Sequence, residues 1–315
     1  MLLLLQYTLL YSSVLILVAL GGCFSEHSGV INLGLEGTMV MGALGGALTM
    51  HFMPNLPPFL MIVMVILISM TVGLIYSLLL AVASVSFKAD QTIVGTAMNM
   101  LAVAAATVIV KAVNSSFNPN NPSAELKYHE QRTAFIVRIG KSGGFEFNWF
   151  MLVTVIILVA AYVLLYKTKF GLRLMACGEH PQAAASVGIN VFKMRYAGVM
   201  ISGLLGGLGG IVYIASADSM WKFSNGVLGF GFLALAVMIF GQWKPQRIAL
   251  AALVFGFFRA LSSVNVGIDF IKALNIPDSV YKMLPYIISL VVLALTSKKS
   301  RAPKAEGIPY DKGMR

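Results

Sequence analysis

Residues 1–23 read MLLLLQYTLLYSSVLILVALGGC. The run is apolar and long enough to cross a bilayer, since a helix rises about 1.5 Å per residue and a span needs roughly 20 residues. It also looks like a lipoprotein leader, because it closes on Leu20-Gly21-Gly22-Cys23. Two features oppose cleavage. No Lys or Arg precedes the run, whereas a signal peptide carries a basic n-region. A further apolar segment follows Cys23, where a mature soluble domain would be expected. We read a first transmembrane helix, and with it an all-α, polytopic membrane bundle.

Composition extends that reading to the whole chain. Hydrophobic residues make up 58% and charged residues 11%, against about 25% charged in an ordinary soluble domain. A mean hydropathy of +0.84 leaves more apolar surface than one soluble core can hide, so lipid must act as solvent. The 30 glycines suit helices packed closely in a membrane. Residues 1–315 form one membrane domain, with no room for a large soluble module. Cys23 and Cys177 imply no disulfide framework.

Apolar windows fall near 3–23, 30–52, 58–84, 91–113, 148–166, 196–216, 226–243, 247–265 and 280–297, which predicts roughly 8–10 spans. Asn32 and Glu36 interrupt the second and Asn99 the fourth, so either is broken or re-entrant. Such elements survive at membrane depth only inside protein or along a cavity. No internal repeat is plain.

The net charge of +11 fits the positive-inside rule better than a nucleic-acid surface, because the cations lie between spans. Lys167, Lys169, Arg173, Lys193 and Arg195 form one cluster. Lys244 and Arg247 form another, and Lys298, Lys299, Arg301, Lys304, Lys312 and Arg315 a third. With Lys88 these share one side if the spans alternate. That side is expected in the cytoplasm, together with the 167–195 loop and the 298–315 tail. The N-terminus and the 114–147 segment then lie outside. The latter is either a solvated loop or a landing surface for an external partner. Trp221 and Trp243 fit interfacial anchoring.

Catalytic signatures are absent. There is no H-E-x-x-H, nucleophile elbow or Cys/His metal spacing. Gly140-Lys141-Ser142 mimics the end of a phosphate-binding loop, but Phe135 stands where the leading glycine belongs. The expectation is a non-enzyme with no cofactor or metal.

Polar chemistry concentrates in Ser25-Glu26-His27-Ser28-Gly29-Val30-Ile31-Asn32-Leu33-Gly34-Leu35-Glu36-Gly37. An acid inside an apolar segment costs about 2–3 kcal/mol on insertion scales. The nearby glycines let backbones approach and bend. Asn32 and Glu36 are therefore either satisfied interhelical hydrogen bonds or part of a pathway or gate.

This stretch resembles the S-E-R-S-G-V-x-N-I-G-L-E-G signature of permease subunits of bacterial ABC importers for nucleosides, within the wider group of ribose-type sugar and branched-chain amino-acid permeases. His27 stands where arginine is usual. Asp90-Gln91-Thr92-Ile93-Val94-Gly95-Thr96-Ala97-Met98-Asn99 is similar to the family's E-I-V-x-G-x-x-x-N segment, with Gln91 in place of glutamate. Gly171-Leu172-Arg173, then Cys177-Gly178-Glu179-His180-Pro181-Gln182-Ala183-Ala184-Ala185-Ser186-Val187-Gly188-Ile189, is similar to its cytoplasmic G-x-N-P-x-A-A-x-x-x-G-I loop. Pro181 suits a first helical turn, the alanines propagate it, and Gly188 suits its C′ position. His180 is a weaker N-cap than the usual asparagine. The helix is either a surface helix or, as the resemblance implies, the coupling helix that seats in an ATPase subunit. Gly178, Glu179, Pro181, Ala184 and Gly188 would then carry the coupling.

Ser202–Gly210 holds two GxxxG pairs, Gly203/Gly207 and Gly206/Gly210, read as intramolecular helix packing. Arg259 snorkels, pairs with an acid or lines the pathway.

The resemblance implies the permease subunit of an ATP-driven importer, for nucleosides or related purine and pyrimidine compounds, in the bacterial cytoplasmic (inner) membrane. ATP would be bound by a partner ATPase. The other implied partners are a second homologous permease or a second copy, an external substrate-binding lipoprotein, and the bilayer, with no nucleic acid. Asn32, Glu36, Thr96 and Asn99 would line the pathway. The alternatives are a sugar or branched-chain amino-acid permease of the same class, or an ion-coupled secondary transporter or channel. The last would want a proton-relay series of acids, and only Glu36 qualifies.

Overall fold

A computed structural model describes residues 2–128, 133–139, 145–217, 220–264 and 302–313, with the single positions 283, 287 and 290. Four helices come first: α1 Leu2–His27, α2 Leu35–Phe52, α3 Pro58–Ala81 and α4 Gln91–Phe117. Short strands β1 Glu125–Lys127, β2 Ile136–Ile139 and β3 Phe145–Asn148 follow. Then come α5 Trp149–Lys167, α6 Lys169–Glu179, α7 Pro181–Ser186 and α8 Val191–Ala217. Strand β4 Met220–Lys222 leads to α9 Phe230–Phe240 and α10 Pro245–Val264. Among the described residues, five helices are long and apolar enough to cross a membrane: α1, α3 with its π-helical extension to Ser86, α4, α5 and α8. The protein is an all-α polytopic bundle.

Local chemistry sets the helix starts. Pro58 opens α3 at a position that needs no backbone donor. Asp90 caps α4 by accepting from Thr92 N at 2.8 Å and Ile93 N at 3.0 Å. Those amides, Ile93 first, hold its carboxyl below the usual range. Asn148 caps α5 through Phe150 N at 3.0 Å, and Thr168 caps α6 through Gly171 N at 3.2 Å.

Helix α1 lies at the centre, packed against α5, α8, α9 and α10. In lipid, burial of apolar surface gives little drive for helix association, so close contact and interhelical hydrogen bonds matter more. Ser12 supplies one such bond, donating to Ala252 O on α10 at 3.0 Å. The closest crossing joins α2, α3 and α8. A Cβ on Gly73 would stand 2.7 Å from Gly207 Cα, and one on Gly210 would collide with Met39 O. The GxxxG pairs thus serve packing within the chain.

The basic segments gather at one end. Lys88 meets Asp311, Cys23 and His27 bond Trp243 O, and Ala305 N bonds Gly178 O. At the other end Gln6 meets Glu146. There β1 pairs antiparallel with β4, Leu126 opposite Trp221, and β2 pairs with β3.

Several expectations change. The window at 30–52 is broken, with α2 starting only at Leu35, but 91–113 is an uninterrupted helix. The window at 226–243 shrinks to α9, because residues 223–229 run as a 3-10 turn and a kinked descent with positive φ at Gly226, Leu228 and Gly229. The window at 280–297 lies almost wholly outside the described residues. The described residues of the 114–147 segment are not all freely solvated. Leu126, Tyr128 and Phe135 are buried, and Tyr128 OH donates to Ile214 O at 3.1 Å. Trp221 and Trp243 are not interfacial anchors. Both are buried, with Trp221 Nε1 donating to Gly226 O and Trp243 Nε1 to Glu26.

Candidate functional site

The non-helical link 28–34 between α1 and α2 is built by its own side chains. Ser28 Oγ donates to Ser25 O at 2.6 Å and Ser25 Oγ to Val30 O at 2.7 Å. Gly29, at φ +91°, makes the turn. The rest is pinned from neighbouring helices. Ile31 N donates to Gln91 Oε1 at 2.7 Å, and Asn32 Nδ2 donates to Ser202 Oγ at 2.8 Å.

The start of α2 has no side-chain cap of its own at Gly34. Asn99 on α4 supplies one. Its Oδ1 accepts from Gly37 N at 2.8 Å and its Nδ2 donates to Leu33 O at 2.9 Å. Glu36 in turn caps α9. Its carboxylate accepts from Gly229 N at 2.8 Å and Gly231 N at 2.6 Å. These are orphan amides at the positive end of a helix, where a carboxylate is most favourable. Two helix starts inside the bundle are thus closed by side chains from distant segments.

The structure therefore brings Asn32, Glu36 and Asn99 into one junction. Thr96 is not part of it. Its hydroxyl bonds back to Thr92 O and Ile93 O on the exposed face of α4. Gln91 and Ser202 belong to the junction and were missed as site residues. Gln91 had shown itself only as a departure from a family pattern. Within the junction, Asn32 Oδ1 and Gln91 Nε2 are buried without a hydrogen-bond partner, leaving one spare acceptor and one spare donor. Arg259 lies over the rings of Tyr11 and Phe230, at 5.7 and 5.3 Å, and near Ser262.

At the basic end, α6 and α7 form the second candidate surface. His180 precedes α7 without a side-chain cap bond, and Gly188 closes it at φ +85°. Gly178, Pro181 and Ala184 face inward and are buried, with Ala184 packed on Cys177, Val191 and Tyr310. Burial pushes the Cys177 thiol up to about 11. Glu179 and Gly188 face outward. So do Gln182, Ala183, Ser186 and Val187, the last 75% exposed, and sequence reading had not singled these out. Helical phase would have found Gln182 and Ala183, which lie between Pro181 and Ala184, seated three apart, whereas Val187 lies past the last residue of α7.

Comparison with known proteins agrees with this architecture. The chain is 41% identical to the guanosine ABC transporter permease protein NupQ of Bacillus subtilis, over 98% of this chain and 96% of that one. It is 37% identical to the nucleoside ABC transporter permease protein NupC of Lactococcus lactis, over 96% and 95%. A putative glucose ABC transporter permease protein, TsgC13 of Haloferax volcanii, is 27% identical over 84% and 80%. No solved structure matches. A family model described as branched-chain amino acid transport system / permease component matches residues 4–293, and the chain belongs to that family of ABC transporter permeases.

Proposed function

We propose that this chain is the membrane-spanning subunit of an ATP-driven importer of nucleosides or closely related purine and pyrimidine compounds. The observation that carries the substrate is the 41% identity, over nearly the full length, to a permease named for guanosine. The junction is compatible with that cargo. Asn32, Gln91, Asn99 and Ser202 offer uncharged groups that exchange hydrogen bonds with a hydroxylated, neutral solute. Glu36 holds two helix starts in register beside them. Thr96 contributes where the exposed face of α4 meets the second permease subunit.

ATP is bound and hydrolysed by a separate ATPase that docks on the outward face of α7 from the cytoplasm. A second permease, homologous or identical, completes the channel, and a substrate-binding lipoprotein delivers solute from outside. The basic end, with residues 302–313, is cytoplasmic, and the membrane is the bacterial inner membrane. Co-expression with the candidate ATPase tests the docking. A cysteine at Ala183 crosslinks to the ATPase, whereas labelling of that cysteine by an impermeant reagent in intact cells rejects both the sidedness and the contact.

A further inference from the structure

Helices α2 and α4 meet along a seam. Near the polar junction, a Cβ on Gly37 of α2 would stand 2.8 Å from Met98 O of α4, and Asn99 bonds Gly37 N. Midway, Gly226 of the 223–229 descent lies against Val40 and Val103. At the far end the ring of His51, in the last turn of α2, meets that of Phe117, the last residue of α4, edge-on at 5.7 Å. The seam therefore runs from the junction to the end of the molecule opposite the basic one.

A cleft of about 440 Å³ opens at that far end, within the size range of small-molecule sites. Asn114 builds it. Its Nδ2 donates to Ser123 O at 2.8 Å and Glu125 O at 2.9 Å, which folds the 118–125 loop back over the end of α4. Strand alternation then orients β1. Leu126 is buried opposite Trp221, and Glu125 and Lys127 turn to the other side, along the cleft. One wall is aromatic, made by His51 and Phe117, the latter 69% exposed. Asn118, Asn120 and Asn121 beside it are exposed too, a setting for water and polar ligands, not for lipid chains. The other wall is polar. Asn118 and Asn121 spend their side-chain carbonyls on Asn120 N and Ser123 N, so they offer NH2 donors, as Lys127 offers its ammonium. Glu125 offers acceptors, since Lys222 Nζ is 4.0 Å from its Oε1, too far for a hydrogen bond.

We propose that this cleft is a reception site that binds the nucleoside before it enters the α2–α4 seam. The proposal rests on the nucleoside reading above and adds a site to it. An aromatic face open to water stacks on a nucleobase. Amide and ammonium donors match the N7 and O6 acceptors of a guanine. A carboxylate accepts from a ribose hydroxyl, as acidic side chains do in dinucleotide sites. A free sugar or leucine has no ring to lay on the aromatic wall. The site also has a path inward. Strand β1 pairs with β4, and β4 continues into the 223–229 descent, which ends on the Gly229 and Gly231 amides held by Glu36.

The test uses the paired permease and ATPase in lipid nanodiscs, without binding protein. A photoreactive azidoguanosine is crosslinked and its position mapped by mass spectrometry, which needs no variant. The expected label falls on peptides holding His51 or Phe117 and is displaced by unlabelled guanosine. Equilibrium binding of radiolabelled guanosine and 2′,3′-dideoxyguanosine then separates the two walls. Phe117→Ala weakens both ligands roughly tenfold. Glu125→Ala weakens guanosine roughly tenfold and leaves the dideoxy compound unchanged. No label in the cleft overturns the proposal, as does equal loss of both ligands in Glu125→Ala. Protection of the cleft from labelling at Phe117→Cys by empty binding protein, but not by guanosine, assigns it to that protein and also overturns the proposal. ATP-driven guanosine uptake by particles whose cleft is never labelled rejects the site and keeps the functional reading. A labelled cleft in particles that accumulate no guanosine, with ATP and loaded binding protein supplied, rejects the functional reading and keeps the site.

Discussion

Glu36 and Asn99 do the same work for different helices: each supplies to a distant helix start the acceptor its own segment lacks. Removing such an acceptor leaves buried amides unpaired, at about 1–3 kcal/mol each. Glu36→Ala should therefore cost about 2–4 kcal/mol and Asn99→Ala about 2 kcal/mol. Thermal unfolding in detergent checks this, and Glu36→Gln, which keeps one carbonyl acceptor, should fall between wild type and Glu36→Ala. Equal melting temperatures for all would contradict the capping geometry. The sequence showed that Glu36 needed a partner, but not which one. Glu36 and Gly229 lie 193 positions apart, and only the fold brings them together. The same holds for Glu26 and Trp243, whose buried indole reads in sequence as an interfacial anchor.

Among the elements, those with local causes were legible. Helix α1 follows from an unbroken apolar run, and α7 from Pro181, its alanines and Gly188. The close crossing of α2, α3 and α8 was visible as GxxxG spacing. Its strength can be tested by contrast. Gly207→Val places a side chain against the backbone of α3, in a core that cannot give, and should cost about 3 kcal/mol or more. Gly188→Ala meets open space but must hold a left-handed conformation, at about 1 kcal/mol. Expression and melting temperature of the two variants rank them, and similar losses would show that the crossing is looser than described. What sequence did not show was where the broken descent at 223–229 leads. Ser224, Asn225, Gly226 and Gly229 mark a turn there, but the path onward to α9 depends on Glu36 waiting at the end.

At the scale of the whole molecule, the fold places a polar junction inside the bundle and an exposed short helix at its basic end. On the proposed reading the first is the route for solute and the second the handle for a motor. The central claim is that this chain moves nucleosides only when a separate ATPase drives it. The most direct measurement is uptake into proteoliposomes containing this subunit, its paired permease and the ATPase, with loaded binding protein and ATP. The account predicts ATP-dependent accumulation of guanosine or a related nucleoside well above that of glucose or leucine, and none from this chain alone. Accumulation by this chain alone on an ion gradient, or ATP-driven uptake of glucose or leucine without nucleosides, would contradict it.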